Sequence, residues 1–268
     1  MIIQYKMRNA SLLAIMLICT LSVTFAQSKA DPNFELYILI GQSNMAGRGA
    51  LSPEPQAVVN PRVYMFNKDT IWVLAKDPLH FDKPKAVGVG PGLTFGIAMA
   101  SSNSGAKIGL VPCAVGGTGI EAWQPGAFDK ATQTHPYDDA LLRIRAAMKY
   151  GQIKGVIWHQ GEANSTEKKS SSYLIQLETL IKRIRKEVGN PQLPFVVGEL
   201  GRYRIQYDLI NVQLAKVPNL IPYTGLVSSE GLVHKGDSTH FDAPSAQKLG
   251  QRYAEKMMEL QKQQQNKL

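Results

Sequence analysis

Residues 34–47 read FELYILI followed by GQSNMAG. The first seven form an apolar run of aromatic and β-branched residues, interrupted only by Glu35, that stops at Gly41. A continuous run of this length suits a strand buried on both faces of a parallel sheet. The second seven are mostly small or polar. A serine just past a buried strand, between Gly41 and Gly47, projects its hydroxyl from a tight turn. Its own N–H can then point at a bound oxygen. The competing reading of Ser43 is a plain helix cap.

Working outward, similar runs occur at 107–113 (KIGLVPC), 155–159 (GVIWH), 194–200 (PFVVGEL) and 220–227 (LIPYTGLV). Between them, 93–102, 136–150 and 171–188 carry helical spacing. Ala140, Leu141, Ile144, Ala147 and Met148 line one side of the second, and Leu174, Leu177, Leu180, Ile181 and Ile184 one side of the third. Residues 243–261 read as a closing helix, and the polar tail 261–268 is expected to fray. Strand–helix alternation predicts an α/β sandwich built on five mostly parallel strands with right-handed crossovers. Such sheets carry their sites in the loops at the strand carboxyl ends. Residues 63–66 and 71–74 flank Asn67-Lys68-Asp69-Thr70 and read as a hairpin inserted above the sheet. There is no repeat and no linker, so residues 27–268 are expected to form one domain.

The start of the chain reads differently. Lys6 and Arg8 precede a mostly apolar stretch, 11–25, and Thr24-Phe25-Ala26 ends in a small residue. That pattern is a secretory signal over 1–26. An apolar run of about 15 residues is short of the ~20 that span a bilayer. Met16-Leu17-Ile18 lack the small residues that a lipidation site at Cys19 would need. The expectation is a secreted or periplasmic protein with no stable membrane insertion. The net charge is +9, and Lys6 and Arg8 leave with the signal. The remaining Lys and Arg scatter over helix faces without an aromatic–basic recognition motif, so no nucleic-acid partner is expected. Two cysteines cannot build a disulfide framework. Cys113 reads as a buried small hydrophobe.

Three further segments at strand ends or before the last helix are polar and chemically unusual. Gly116-Gly117-Thr118-Gly119-Ile120-Glu121-Ala122-Trp123 offers glycine N–H groups as an anion-binding concavity. It lacks the Gly-Lys-Ser/Thr ending of a phosphate loop. Trp158-His159-Gln160-Gly161-Glu162 contains a His and a Glu three apart, but no further pair that a metal site would need, so no metal and no cofactor are expected. Asp237-Ser238-Thr239-His240 places an acid three residues before a histidine, so that one ring nitrogen can be held and the other left free. A nucleophile, a base, an orienting acid and oxyanion donors on one sheet edge are the parts of serine acyl transfer.

GQSNMAG at 41–47, WHQGE at 158–162 and Asp237-x-x-His240 together resemble the SGNH/GDSL hydrolase superfamily. The specific likeness is to its carbohydrate-acetylesterase branch, carbohydrate esterase family 6 and the sialate O-acetylesterase-like domain, over residues 34–257. The resemblance implies a flavodoxin-like three-layer α/β/α sandwich and metal-free removal of O-acetyl groups from an acetylated oligo- or polysaccharide. The activity would be that of an acetylxylan esterase or a sialate O-acetylesterase. A catalytically inactive sugar-binding module is the rival, and the presence of Ser43, Gln160, Asp237 and His240 speaks against it. By motif match, Ser43 is implied as nucleophile, His240 as base and Asp237 as orienter, with Glu162 the alternative orienter. The implied oxyanion donors are the Ser43 N–H, an N–H of Gly116 or Gly117, and the Gln160 amide, which stands where many superfamily members have Asn. Trp123 could stack on a sugar or sit in the core. Arg48 could read an acidic sugar or serve a surface or helix-dipole role. The resemblance leaves the oligomeric state open.

Overall fold

The centre of the sheet is β1 (Phe34–Gly41). Leu36, Ile38 and Ile40 enter one core, and Tyr37 and Leu39 the other. All five are fully buried. Alternate residues of a strand face opposite sides, so both faces of β1 must be covered. Each such side chain contributes about 1.5–3 kcal/mol by burial. The computed structural model describes residues 30–52 and 60–266. The signal sequence read at 1–26 and the end of the tail lie outside the described residues.

After β1 the chain runs through α1 (Ser43–Ala46), β2 (Val63–Phe66), β3 (Trp72–Leu74), α2 (Gly92–Ser102), β4 (Lys107–Pro112) and α3 (Pro136–Ala147). It continues through β5 (Gln152–His159), α4 (Glu167–Ser170), α5 (Tyr173–Val188), β6 (Phe195–Gly198), α6 (Asp208–Leu220), β7 (Thr224–Val227) and α7 (Ala243–Gln265). The sheet order is β3-β2-β4-β1-β5-β6-β7, parallel except for β2 against β3. Five of its strands, β4-β1-β5-β6-β7, follow the second-first-third-fourth-fifth order of a flavodoxin-like sheet. Residues of α3, α5 and α6 pack on the Leu36 face, and residues of α2 and α7 on the Tyr37 face. This is the expected three-layer α/β/α fold. No helix among the described residues is long and apolar enough to cross a membrane.

Three expectations need correction. The sheet has seven strands rather than five, and the hairpin lies in the sheet rather than above it. Val63, Tyr64 and Met65 pair with Ile108, Gly109 and Leu110 of β4, whose edge would otherwise be open. Trp72 of β3 packs edge-on against Phe34 at 4.7 Å. A Cβ on Gly109 would stand 2.8 Å from the Trp72 ring, so the glycine lets the indole cross the sheet. The last helix also runs past 261 to Gln265, because its polar residues have partners. Gln261 Nε2 donates to Tyr37 Oη and Lys154 O, and Gln264 to Gln192 O. The sequence pattern assigned no helix where α6 lies; its buried stripe is Ile210, Leu214 and Val217.

The site lies where the chain leaves β1, with β4 on one side and β5 on the other. Gly41 has φ +131°, and a Cβ there would sit 2.1 Å from His159 O. Only glycine lets the two strand ends come this close. The Gln42 N–H then donates to His159 O at 2.9 Å, bringing the segments around Ser43 and Gln160 together.

Candidate active site

Ser43 is the first residue of α1 and is 6% exposed. Its hydroxyl caps no backbone amide. It lies 3.0 Å from His240 Nε2, although the two residues are 197 apart in sequence. His240 Nδ1 lies 2.7 Å from Asp237 Oδ2. Asp237 Oδ1 accepts the N–H groups of Thr239 and His240 at 2.9 and 2.8 Å. Burial pulls the Asp237 carboxyl upward, but the His240 amide and ring and the Thr239 amide outweigh it and hold the carboxyl at about 2. An ionised carboxylate only accepts, so Nδ1 carries the imidazole proton and Nε2 faces the Ser43 hydroxyl with its lone pair. Burial lowers the His240 pKa below its ordinary value, while Asp237 pulls the other way. The ring is therefore neutral, and able to take a proton, at neutral pH.

Glu162 does not touch His240. It is half-buried after β5, and Oε1 accepts from Asn44 Nδ2 at 2.5 Å. Burial pushes its carboxyl up to about 6. His159 packs edge-on against Phe241 and bonds Tyr253 Oη through Nδ1; burial holds its pKa down to about 3. Among the described residues no group of three or more His, Cys, Asp or Glu is arranged to hold a metal.

The glycine-rich segment after β4 reaches the serine. A Cβ on Gly116 would lie 3.3 Å from Ser43 Cβ and 2.3 Å from Arg48 Nη2, which leaves room only for glycine. The Gly116 N–H donates to Asp82 Oδ2 at 2.7 Å, so this amide holds an anionic oxygen beside Ser43. Arg48 Nη2 donates to the same oxygen at 2.7 Å, and its Nη1 to Gly47 O. The arginine that could have read an acidic sugar is thus buried against the protein's own carboxylate, with a side chain 5% exposed. The pairing holds Asp82 below the usual carboxylate range, although burial alone would raise it.

Two more expectations change. Trp123 is 2% exposed, stacks edge-on against Trp158 at 5.3 Å and donates its indole N–H to Thr118 Oγ1. It belongs to the core and offers no face to a sugar. The Gln160 amide is also engaged: Nε2 donates to Asn164 Oδ1 at 2.7 Å and to Gln42 Oε1 and Thr118 O at 3.2 Å. It braces the glycine-rich segment against the turn before Ser43. By contrast, the N–H groups of Ser43 and Gly117 have no acceptor among the described residues. Cys113 is buried, with its thiol pushed up to about 11 by burial.

Sequence reasoning missed Asn44, Asp82 and Asn164. Asn44 lies inside the quoted GQSNMAG stretch and Asn164 two residues past Glu162, so proximity was the available signal. Asp82 gave none, because its contact with Gly116 spans 34 residues.

The fold and this cluster define a carboxylic ester hydrolase. Residues 33–259 match the family model described as carbohydrate esterase, sialic acid-specific acetylesterase. The chain belongs to that family of O-acetyl-removing esterases. A probable carbohydrate esterase of Arabidopsis thaliana is 33% identical over 245 residues, 84% of this chain and 90% of that protein. A crystal structure from the same plant aligns with a TM-score of 0.75 at 30% identity, covering 85% of this chain and 99% of that one. The fold is shared more distantly with a carbohydrate acetylesterase of Xanthomonas citri. That match has a TM-score of 0.65 at 23% identity, over 85% of this chain and 56% of that one.

Proposed function

We propose that the protein removes O-acetyl groups from a secreted-side glycan through a Ser43–His240–Asp237 triad. The observation that carries this reading is the hydrogen-bonded chain of 3.0 and 2.7 Å that joins Ser43 Oγ, His240 and Asp237. His240 Nε2 takes the Ser43 proton as Oγ attacks the acetyl carbonyl. Asp237 keeps the imidazole in the right tautomer and stabilises the imidazolium. The N–H groups of Ser43 and Gly117, which have no acceptor among the described residues, hold the oxyanion, while the Gly116 N–H is engaged by Asp82. The sugar alkoxide leaves with the proton from His240. Water, activated by His240, then hydrolyses the acetyl-enzyme and restores the serine.

The leaving group is a carbohydrate hydroxyl, as in an acetylxylan esterase or a sialate O-acetylesterase. The signal read at 1–26 supports export, so a purified exported protein should begin at Gln27. The test is acetate release from acetylated xylan and from O-acetylated sialic acid, by the wild type and by Ser43→Ala. The variant should lose at least ~10³-fold in turnover while keeping its circular-dichroism spectrum. A folded Ser43→Ala protein with near-wild-type turnover would sink the serine mechanism. The glycan that releases acetate faster names the substrate.

A further inference from the structure

Asp237 orients the His240 ring, but both residues sit on one loop and move together. Something outside the loop must hold that loop at the right distance from Ser43. Asn44, next to Ser43 in the chain, is 3% exposed. Its Nδ2 donates to Glu162 Oε1 at 2.5 Å and to Thr239 O at 3.0 Å. Its Oδ1 accepts the Phe241 N–H at 3.1 Å. Thr239 and Phe241 are the two neighbours of His240. A primary amide offers two donor hydrogens and one acceptor oxygen, and here all are used.

We propose that Asn44 is the positioning residue that sets the Ser43–His240 distance, and that Glu162 anchors Asn44 rather than orienting His240. The proposal rests on the reading of Ser43 and His240 as nucleophile and base. Glu162 has a definite part in it. A flipped Asn44 amide would set its oxygen against the Glu162 carboxylate and the Thr239 carbonyl, and leave the Phe241 N–H facing another donor. The carboxylate therefore selects the one amide orientation that clamps both sides of His240. Glu162 Oε2 has no partner among the described residues, and Asn44 is the side chain this acid holds. On the outer side of the loop, Arg204 Nε donates to Ser238 O at 3.1 Å. The Asn44 amide ties the backbone on both sides of His240 to the turn that carries Ser43.

The geometry also separates the two acids near the serine by what they can do to the rate. Loss of the clamp leaves nucleophile and base chemically intact but misplaced. A misplacement of about 1 Å can lower turnover by about 10²-fold. Ground-state binding of the ester should hardly change, because Asn44 is buried behind the reacting groups.

The test compares Asn44→Ala, Asn44→Asp and Asn44→Asp/Glu162→Gln with the wild type. Two readouts are taken: kcat and KM for acetate release from an aryl acetate, and the His240 pKa from NMR of the ring in protein without substrate. Asn44→Ala should lower kcat about 10- to 100-fold with little change in KM. Its His240 pKa should rise toward the ordinary value, because a loosened loop gives water access to a ring now held low by burial. Asn44→Asp should be worse, since it opposes two carboxylates. Adding Glu162→Gln should recover several-fold of that loss, because the new amide donates to the new carboxylate. This pair decides the matter if Asn44→Ala does not fold. A folded Asn44→Ala protein with wild-type kcat and an unmoved His240 pKa would overturn the proposal. So would a raised KM at unchanged kcat, or an Asn44→Asp defect that Glu162→Gln leaves untouched. Absence of acetate release from the wild type would instead defeat the esterase reading, and the NMR comparison would still decide the clamp.

Discussion

The loop 234–242 and the loop 159–164 each bring a carboxylate close to Ser43, and they treat it in opposite ways. Asp237 lies on the rim with its side chain 37% exposed, accepts two backbone N–H groups and a ring N–H, and is held at about 2. Glu162 is half-buried with its Oε2 shut off from solvent, accepts from a neutral amide and is pushed up to about 6. The environment, more than the distance from the serine, separates their parts. An acid whose charge is secured by donors can stabilise an imidazolium through each turnover. An acid whose charge is penalised by burial is better suited to holding a neighbour in place.

The largest effect that could break this contrast is on turnover. Asp237→Asn should lower kcat by up to ~10⁴-fold at neutral pH, because the replacement can stabilise the wrong tautomer and carries no charge. Glu162→Gln keeps an oxygen that Asn44 can reach, and exchanging a charged acceptor for a neutral one should lower kcat by about tenfold or less. Steady-state kinetics of both variants on one acetyl ester checks this. A Glu162→Gln loss larger than that of Asp237→Asn would reverse the assignment.

A third carboxylate sharpens the comparison through stability. Asp82 and Arg48 form an ion pair with side chains 2% and 5% exposed. Removing one partner leaves a buried charge uncompensated, so Asp82→Ala should destabilise the protein by about 3–5 kcal/mol. Denaturant unfolding of the variant measures it. A change below about 1 kcal/mol would mean that water reaches Arg48.

The smaller effects depend on pH. The Glu162 pKa lies above its unfolded value of 4.5 at about 6. Its neutral form thus favours the fold below pH 4.5, and that contribution is lost as pH rises through 6. Glu162→Gln should therefore stabilise the protein at about pH 8 by on the order of 2 kcal/mol, with the gain fading toward about pH 5. A melting-temperature difference that is flat with pH would contradict the buried charge. His240, faced by Asp237, Lys235 and Arg48, is lowered by burial. The acid limb of kcat/KM should accordingly fall below the ordinary histidine range. Asp237→Asn should move it lower still, since it removes the group that raises this pKa.

How much of this was legible in the sequence depends on the range of each interaction. The run at 34–40 and the glycines around Ser43 are local, so a strand ending in a serine turn could be read. Asp237 and His240 are three residues apart, and their loop closes by its own Asp237 hydrogen bonds. The hairpin was misplaced because its partner, β4, lies about 40 residues further along the chain, and Val73 and Leu74 are partly exposed as in an insertion. Trp123 could not be assigned, since an indole suits a core or a sugar and only Trp158, far along the chain, decides between them. α6 was missed because its buried stripe is narrow and Pro218 reads as a breaker. The Gln160 amide had the right position in the motif, but its acceptors come from Gln42, Thr118 and Asn164.

The central claim is that Ser43 carries the acetyl group during turnover. The direct measurement is rapid acid quench of the wild type with an acetyl ester, followed by peptide mass spectrometry. The account predicts an acetyl group on the peptide that contains Ser43, absent in Ser43→Ala and far slower to form when His240, the base that activates Ser43, is replaced. An acetyl group found on another residue, or turnover with no acetyl-enzyme at any quench time, would contradict it.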